Sequence, residues 1–125
     1  MTRTLALISL LLLAACDRAK IAPQLAATIT AQRSSPTSVL IKIHVQNRRD
    51  TATVPLDVEV TAAPHQPAGW GEPVRIIHPV PFVLNKHESR DLRTTLVTSS
   101  GVRAALTIRE AERGLIVVRM AATTD

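Results

Sequence analysis

Cysteine occurs once in these 125 residues, tyrosine not at all, and tryptophan and phenylalanine once each. A single Cys excludes an intramolecular disulfide and any multi-cysteine zinc or iron–sulfur site. So few aromatic rings leave too little stacking surface for a single-strand nucleic-acid binder. The four glycines include no Gly-rich phosphate loop. No apolar run approaches the roughly 20 residues of a permanent membrane-spanning helix. The length allows one small domain, and 46% hydrophobic against 20% charged residues is a folding composition.

What is present begins with an address. Met1-Thr2-Arg3-Thr4 carries one positive charge and leads into the apolar run Leu5–Leu13, which closes on Leu13-Ala14-Ala15-Cys16. A basic start, a short apolar middle and small residues after it describe a secretory signal. Apolar, small, small and then the chain's sole Cys resembles the lipobox of bacterial lipoproteins. That resemblance implies cleavage after Ala15 and a diacylglycerol on the Cys16 thiol, with each buried methylene contributing about 0.8 kcal/mol to anchoring. Residues 1–15 are then the signal peptide, and 16–23, closing at Pro23, the lipidated Cys and its tether. Eight residues at about 3.3 Å each hold the domain up to roughly 26 Å from the lipid. Asp17 behind the modified Cys favours the inner membrane in the sorting of such lipoproteins, with the domain facing the periplasm.

Residues 24–125 alternate. Leu25, Ala27, Ile29 and Ala31 are spaced by polar or small residues, as are Val39, Ile41, Ile43 and Val45, and Val54, Leu56, Val58 and Val60. Leu92, Thr94 and Leu96, then Ala104, Leu106 and Ile108, then Ile116, Val118 and Met120 continue the pattern. Period two marks strands with one wet face. Val74–Leu84 is less regular, and Pro79 and Pro81 make it an edge or a bulged crossover. Three hairpins are expected from parity and charge. Residues 41–45 against 54–58 put Lys42 opposite Asp57. Residues 92–97 against 103–108, around Ser99-Ser100-Gly101 with Gly101 left-handed, put Asp91 opposite Arg109. The last folds at Ala111–Gly114 and brings Leu106 to Val118 and Ala104 to Met120. Seven or so such strands give an all-β, two-sheet antiparallel immunoglobulin-like sandwich without a disulfide.

Within residues 39–98 a second resemblance is present. Val39–Val60 reads strand, Asn, turn, strand; Ala68-Gly69-Trp70, Phe82-Val83-Leu84 and Asn85–Ser89 follow. These segments are similar to bacterial cell-adhesion-related and fibronectin-like modules, which have Pro-Gly where this chain has Asn85-Lys86. The resemblance implies a binding or spacer module and brings no active site with it.

Catalytic chemistry finds little support. His44, His65, His78 and His87 are too far apart in sequence for a local metal pair. No Gly-x-Ser-x-Gly elbow occurs, and His87, Ser89 and Asp91 make a turn cluster rather than a nucleophile, base and orienter. Asp57 with Glu59, and Glu110 with Glu112, lack an apolar pocket to raise one pKa. A non-enzymatic protein is expected, with no metal, no cofactor beyond the covalent lipid on Cys16, and no small-molecule substrate. Loss of Arg3 with the leader takes 15 Lys and Arg to 14 against 10 Asp and Glu, a formal +4. That balance suits a solvated surface, or contact with anionic headgroups or an acidic partner; nucleic acid is not expected outside the cytoplasm. Ala62–Pro73 is long, rich in Pro and Gly, and holds Trp70. The ring either folds back as a lid over one open end of the core, which the scarcity of aromatics favours, or stands out as a partner anchor. Arg48 and Arg49 at a turn tip are the second candidate contact. Taken together, the residues suggest an anchored envelope lipoprotein that binds another envelope protein by a sheet edge or by loop 62–73. The alternative is a periplasmic chaperone or assembly factor for secreted or fibre-forming clients.

Overall fold

A computed structural model describes residues 25–125; the leader, the lipobox, Cys16 and the tether lie outside the described residues. Eight strands follow one another: β1 (Leu25–Ser35), β2 (Ser38–Asn47), β3 (Leu56–Gln66), β4 (Gly69–Trp70), β5 (Val74–Ile77), β6 (Ser89–Val97), β7 (Val102–Glu110) and β8 (Ile116–Thr124). They form two antiparallel sheets. One has the order β1-β2-β6; the other runs β4-β3-β7-β8, with β5 also beside β3. First, second and sixth strands against third, seventh and eighth is the A-B-E and C-F-G arrangement of an immunoglobulin-like sandwich. Among the described residues no helix is long and apolar enough to cross a membrane.

Alternation decides most faces as expected; the exceptions are Val54, which precedes β3, and Ile116, which the bulge beside Arg109 turns outward in favour of Val117. Val39, Ile41, Ile43 and Val45 of β2, Leu56, Val58 and Val60 of β3, and Val102, Ala104, Leu106 and Ile108 of β7 are all buried. They meet between the sheets, and partly buried apolar residues of β1, β6 and β8 extend the cluster outward. Full burial of each Val, Ile or Leu contributes about 1.5–3 kcal/mol, so the three central strands carry most of the folding drive.

Neighbours are another matter. Neither of the first two expected hairpins forms. β2 pairs with β1 and β6, so Lys42 lies opposite Arg93, not Asp57. β7 pairs with β3 and β8, so Arg109 lies opposite Asp57, not Asp91. Segments 48–55 and 98–101 therefore cross from one sheet to the other. Facing sheets stand about 10 Å apart and four extended residues reach roughly 13 Å, so even the shorter link suffices. Crossing keeps both apolar faces pointing into the core, and parity alone therefore cannot tell an arch from a hairpin. Gly101 is not left-handed; positive φ occurs at Gly69, His87 and Gly114. A Cβ on Gly101 would instead meet the Thr124 main-chain oxygen at 2.8 Å, so glycine is there for close packing.

The last hairpin does form, two residues out of the expected register. Leu106 faces Met120 and Ala104 faces Ala122. The connection holds five residues, with Glu110 and Leu115 hydrogen-bonded at 2.8 Å, and a bulge offsets Ile108 from Arg109. A shift of two preserves the faces. The irregular 74–84 stretch is the edge and crossover expected of it. β5 pairs with β3 through a bulge at Val60–Thr61, and Phe82 makes an isolated bridge to Leu56.

Candidate interaction surface

The two ends of the sandwich are built differently, and the expected contact residues divide between them. β2 ends and β3 begins at one end, where Arg48 and Arg49 lie exposed in the connecting segment. β3 then runs its 11 residues to the other end, where it turns into β4. Trp70 is thus separated from Arg48 and Arg49 by about 30 Å of strand at 3.3 Å per residue. The structure does not bring them into one site. β1 opens with Leu25 opposite Asn47, so the chain enters the domain at the Arg48–Arg49 end.

At that entry end, Asn47 is the buried polar residue of the described chain. Its Nδ2 donates to the main-chain oxygens of Thr51 at 2.8 Å, Asn85 at 3.0 Å and Leu84 at 3.3 Å. Its Oδ1 accepts from the Arg49 amide at 3.0 Å, and its own amide donates to the Glu88 oxygen at 2.9 Å. One side chain thus ties the 47–53 turn to the 84–88 turn. Sequence reading had Asn47 as the residue between a strand and a turn; a polar residue on the apolar parity of β2 was the available signal for burial. Phe82 and Leu84 close this end of the core, and the Arg90 guanidinium lies 4.0 Å from the centre of the Phe82 ring.

The 85–88 turn has its left-handed residue at His87, with φ of +57°. A non-glycine residue in this region carries strain. Replacing His87 by Gly is expected to raise stability by up to about 1 kcal/mol, since the relief outweighs an exposed hydrogen bond to Asp50. Urea unfolding of His87→Gly beside the parent chain reads this directly, and a loss of stability would show the Asp50 contact to be worth more than the strain.

At the far end, Gln66 and Gly69 close a tight turn across Pro67-Ala68, and His65 pairs with Trp70. Gly69 has φ of +126° with open space around a would-be Cβ, so the position needs glycine for its backbone alone. The Gly71 amide donates to the Pro64 oxygen at 2.8 Å, and a Cβ on Gly71 would meet the Gln66 side chain at the same distance. The expected lid over the core is not what this hairpin makes. Trp70 is 42% exposed and stands outside the buried cluster. The two residues of β4 hold it beside the exposed His65 at the end of β3, while Ala62, Ala63 and Val102 are the buried residues of this end of the sandwich. The His65 ring meets it edge-on, centroids 5.1 Å apart at 77°. The pair borders an open cleft of about 650 Å³ whose opposite wall is Gly101, Thr123, Thr124 and Asp125. Behind this wall the Arg33 guanidinium donates to main-chain oxygens of Thr98, Ser100 and Asp125, fastening the end of β1 to the 98–101 link and to β8.

The other chemical groups stay dispersed. His44 contacts Asp91 at 2.6 Å, His78 contacts Asp57 at 2.9 Å and His87 contacts Asp50 at 2.8 Å, each at a different place on the surface. His87 and Asp91 thus turn to different partners and form no relay through Ser89. Glu59 sits between Arg75 at 2.7 Å and Arg109 at 3.8 Å. Among the described residues no three His, Cys, Asp or Glu side chains gather as a metal site would require. The geometry offers an aromatic ring, a polar rim and a fixed hairpin, which suits recognition.

No family model matches the chain, and no curated protein matches it in sequence. Solved structures match its fold. A domain of the outer membrane lipoprotein Omp28 from Porphyromonas gingivalis is similar over 78% of this chain and 85% of its own, with 9% identity and a TM-score of 0.54. The ApaA protein of Bordetella pertussis is similar over 80% of this chain and 89% of its own, at 12% identity and a TM-score of 0.51. The Pseudomonas fluorescens alkylpurine DNA glycosylase AlkC matches 80% of this chain at 8% identity and a TM-score of 0.57. There the chain spans only 29% of the glycosylase. At such identities the shared property is the β-sandwich.

Proposed function

We propose that this chain is a lipid-anchored protein of the bacterial cell envelope whose sandwich binds another envelope protein through the Trp70 end. One observation carries the reading: the chain enters the domain beside Asn47, and the exposed aromatic hairpin lies at the opposite end. An anchor at Cys16 then holds the domain by one end and presents Trp70 and the 123–125 wall away from the lipid. Large rigid aromatics flanked by polar groups are the usual energetic centres of protein interfaces. The fold likeness to a lipoprotein domain and the scattered placement of Ser, His and carboxylate groups support a binding role without catalysis or cofactor. Arg48, Arg49 and the anchor face the membrane side in this arrangement, with Asp17 favouring the inner membrane and the domain in the periplasm.

Crosslinked pull-down from native membranes tests both halves. The intact protein is expected to capture one stoichiometric partner, Cys16→Ser to lose it by leaving the membrane, and Trp70→Ala to lose it while staying there. An alanine at an interface centre costs about 2 kcal/mol or more, so capture should fall at least about thirtyfold. Many weak clients, captured equally by Cys16→Ser, would overturn the subunit reading in favour of a periplasmic chaperone.

A further inference from the structure

The edges of the two sheets are not alike. β5 is four residues long, lies between Pro73 and Pro79, and meets β3 through a bulge. Shortness, proline and bulges are the devices that keep an edge from pairing with another chain. β1 and β8, the edges on the other side, run close to each other. β6 is not short, broken by proline or bulged; its charges are Arg90, stacked on Phe82, and the oppositely charged Asp91 and Arg93 on the outward face. Its nine residues hold no proline, and its ladder with β2 is unbroken from Ser38–Val97 to Gln46–Ser89. No strand occupies its other side among the described residues.

The outward face of this sheet also carries an unresolved electrostatic cost. Lys42 and Arg93 lie directly opposite each other, and neither meets an acid among the described residues. Like charges so placed are destabilising. Two residues along β6, Asp91 is exposed and meets only His44. The edge strand therefore shows one negative and one positive charge on the same face.

A second copy satisfies this pattern. When two β6 strands pair antiparallel with their faces matched, residues of like parity must oppose one another. With the two-fold axis at Leu92, Asp91 of each copy faces Arg93 of the other, Arg90 faces Thr94, and the two Leu92 side chains meet on the apolar side. With the axis at Asp91 or Arg93, like charge meets like. With it at Thr94, Arg93 faces Thr95 and Asp91 faces Val97. We propose that two copies of this chain join through β6 with the axis at Leu92, making one six-stranded sheet across a two-fold dimer. Lys42, Arg93, the other copy's Asp91 and its His44 then run in one row across four strands, and each Arg93 gains the acid it lacks. A self-complementary patch of this kind is what a two-fold interface requires.

Sedimentation equilibrium of the intact chain in density-matched detergent, at micromolar concentrations, tests the pairing. The parent protein is expected to be a dimer. Asp91→Arg and Arg93→Asp each exchange two favourable contacts for two repulsive ones, and each should weaken the dimer on the order of a hundredfold. The double variant Asp91→Arg/Arg93→Asp restores the alternation in reverse and should recover most of the loss. Circular dichroism of each variant establishes that the exposed substitutions leave the fold in place. A monomeric parent protein overturns the proposal. So does a dimer indifferent to both single changes, or a double variant no stronger than either single one.

Discussion

Replacing Asn47 by Ala is expected to destabilise the domain by about 2–4 kcal/mol, the largest effect of any polar substitution here. The side chain is 0% exposed and serves three carbonyls and one amide in two separate turns. Alanine removes all four of these hydrogen bonds: the Leu84 oxygen keeps the Thr53 amide at 2.9 Å as its donor, and the Thr51 and Asn85 oxygens and the Arg49 amide are part-buried, where water replaces the lost partner only in part. Each of the four contributes a net of about 0.5–1.5 kcal/mol, and together they hold two turns that loosen when they are lost. Asn47→Asp should be worse still, because it sets carboxylate oxygens against three carbonyl oxygens where an NH2 group donated. In a domain of about 100 residues a loss of this size lowers the melting temperature by some 10–25 °C. Trp70 is the only Trp, with no Tyr beside it, and it lies at the other end of the sandwich from Asn47. If unfolding is cooperative, fluorescence at Trp70 and far-ultraviolet dichroism of Asn47→Ala shift together. A midpoint within about 1 kcal/mol of the parent would show that the two turns hold without the side chain.

Leu106→Ala is the second large change, at about 3 kcal/mol. Leu106 is fully buried in β7, flanked by Val60 and Met120 across its two ladders, and faces the opposite sheet. Truncation removes the transfer energy of the lost atoms and leaves a cavity that neighbouring strands, fixed by their own hydrogen bonds, fill only in part. Val97→Ala provides the contrast. Val97 is 87% exposed at the end of β6, and its loss should cost under about 0.5 kcal/mol. Urea midpoints for the two variants separate them, and equal effects would mean that the core is not where the apolar parity of β7 puts it.

Charge pairing misled more than parity, which failed only where a strand starts late, at Val54, or bulges, at Ile116. In sequence, Lys42 opposite Asp57 and Asp91 opposite Arg109 each supported a hairpin register; in the fold, Lys42 meets Arg93 while Asp91 meets His44. An exposed pair is worth a few tenths of a kcal/mol, too little to choose a strand's neighbour against the burial of an entire apolar face. The 98–101 link shows the same limit. Ser99-Ser100-Gly101 has the composition of a hairpin loop, yet it crosses between sheets because β6 completes one ladder beside β2 and β7 the other between β3 and β8. Trp70 illustrates a further gap. Scarcity of aromatics argued for using the ring as a lid, but the turn at Pro67-Ala68 and the left-handed Gly69 send it outward. Only a two-residue pairing, invisible as a period, fixes that direction.

What the sequence alone determined is therefore local: the class of the fold, the face of nearly every strand residue, and the prolines that make 74–84 irregular. These follow from side-chain chemistry and a period of two, which act over a few residues. Only the tertiary structure decided which strands are neighbours, that Asn47 rivets two turns, that Trp70 stands exposed, and that β6 is left open with Asp91 and Arg93 side by side on one face. Those depend on segments distant in sequence competing for the same core, and burial over the whole domain outweighs any single local preference.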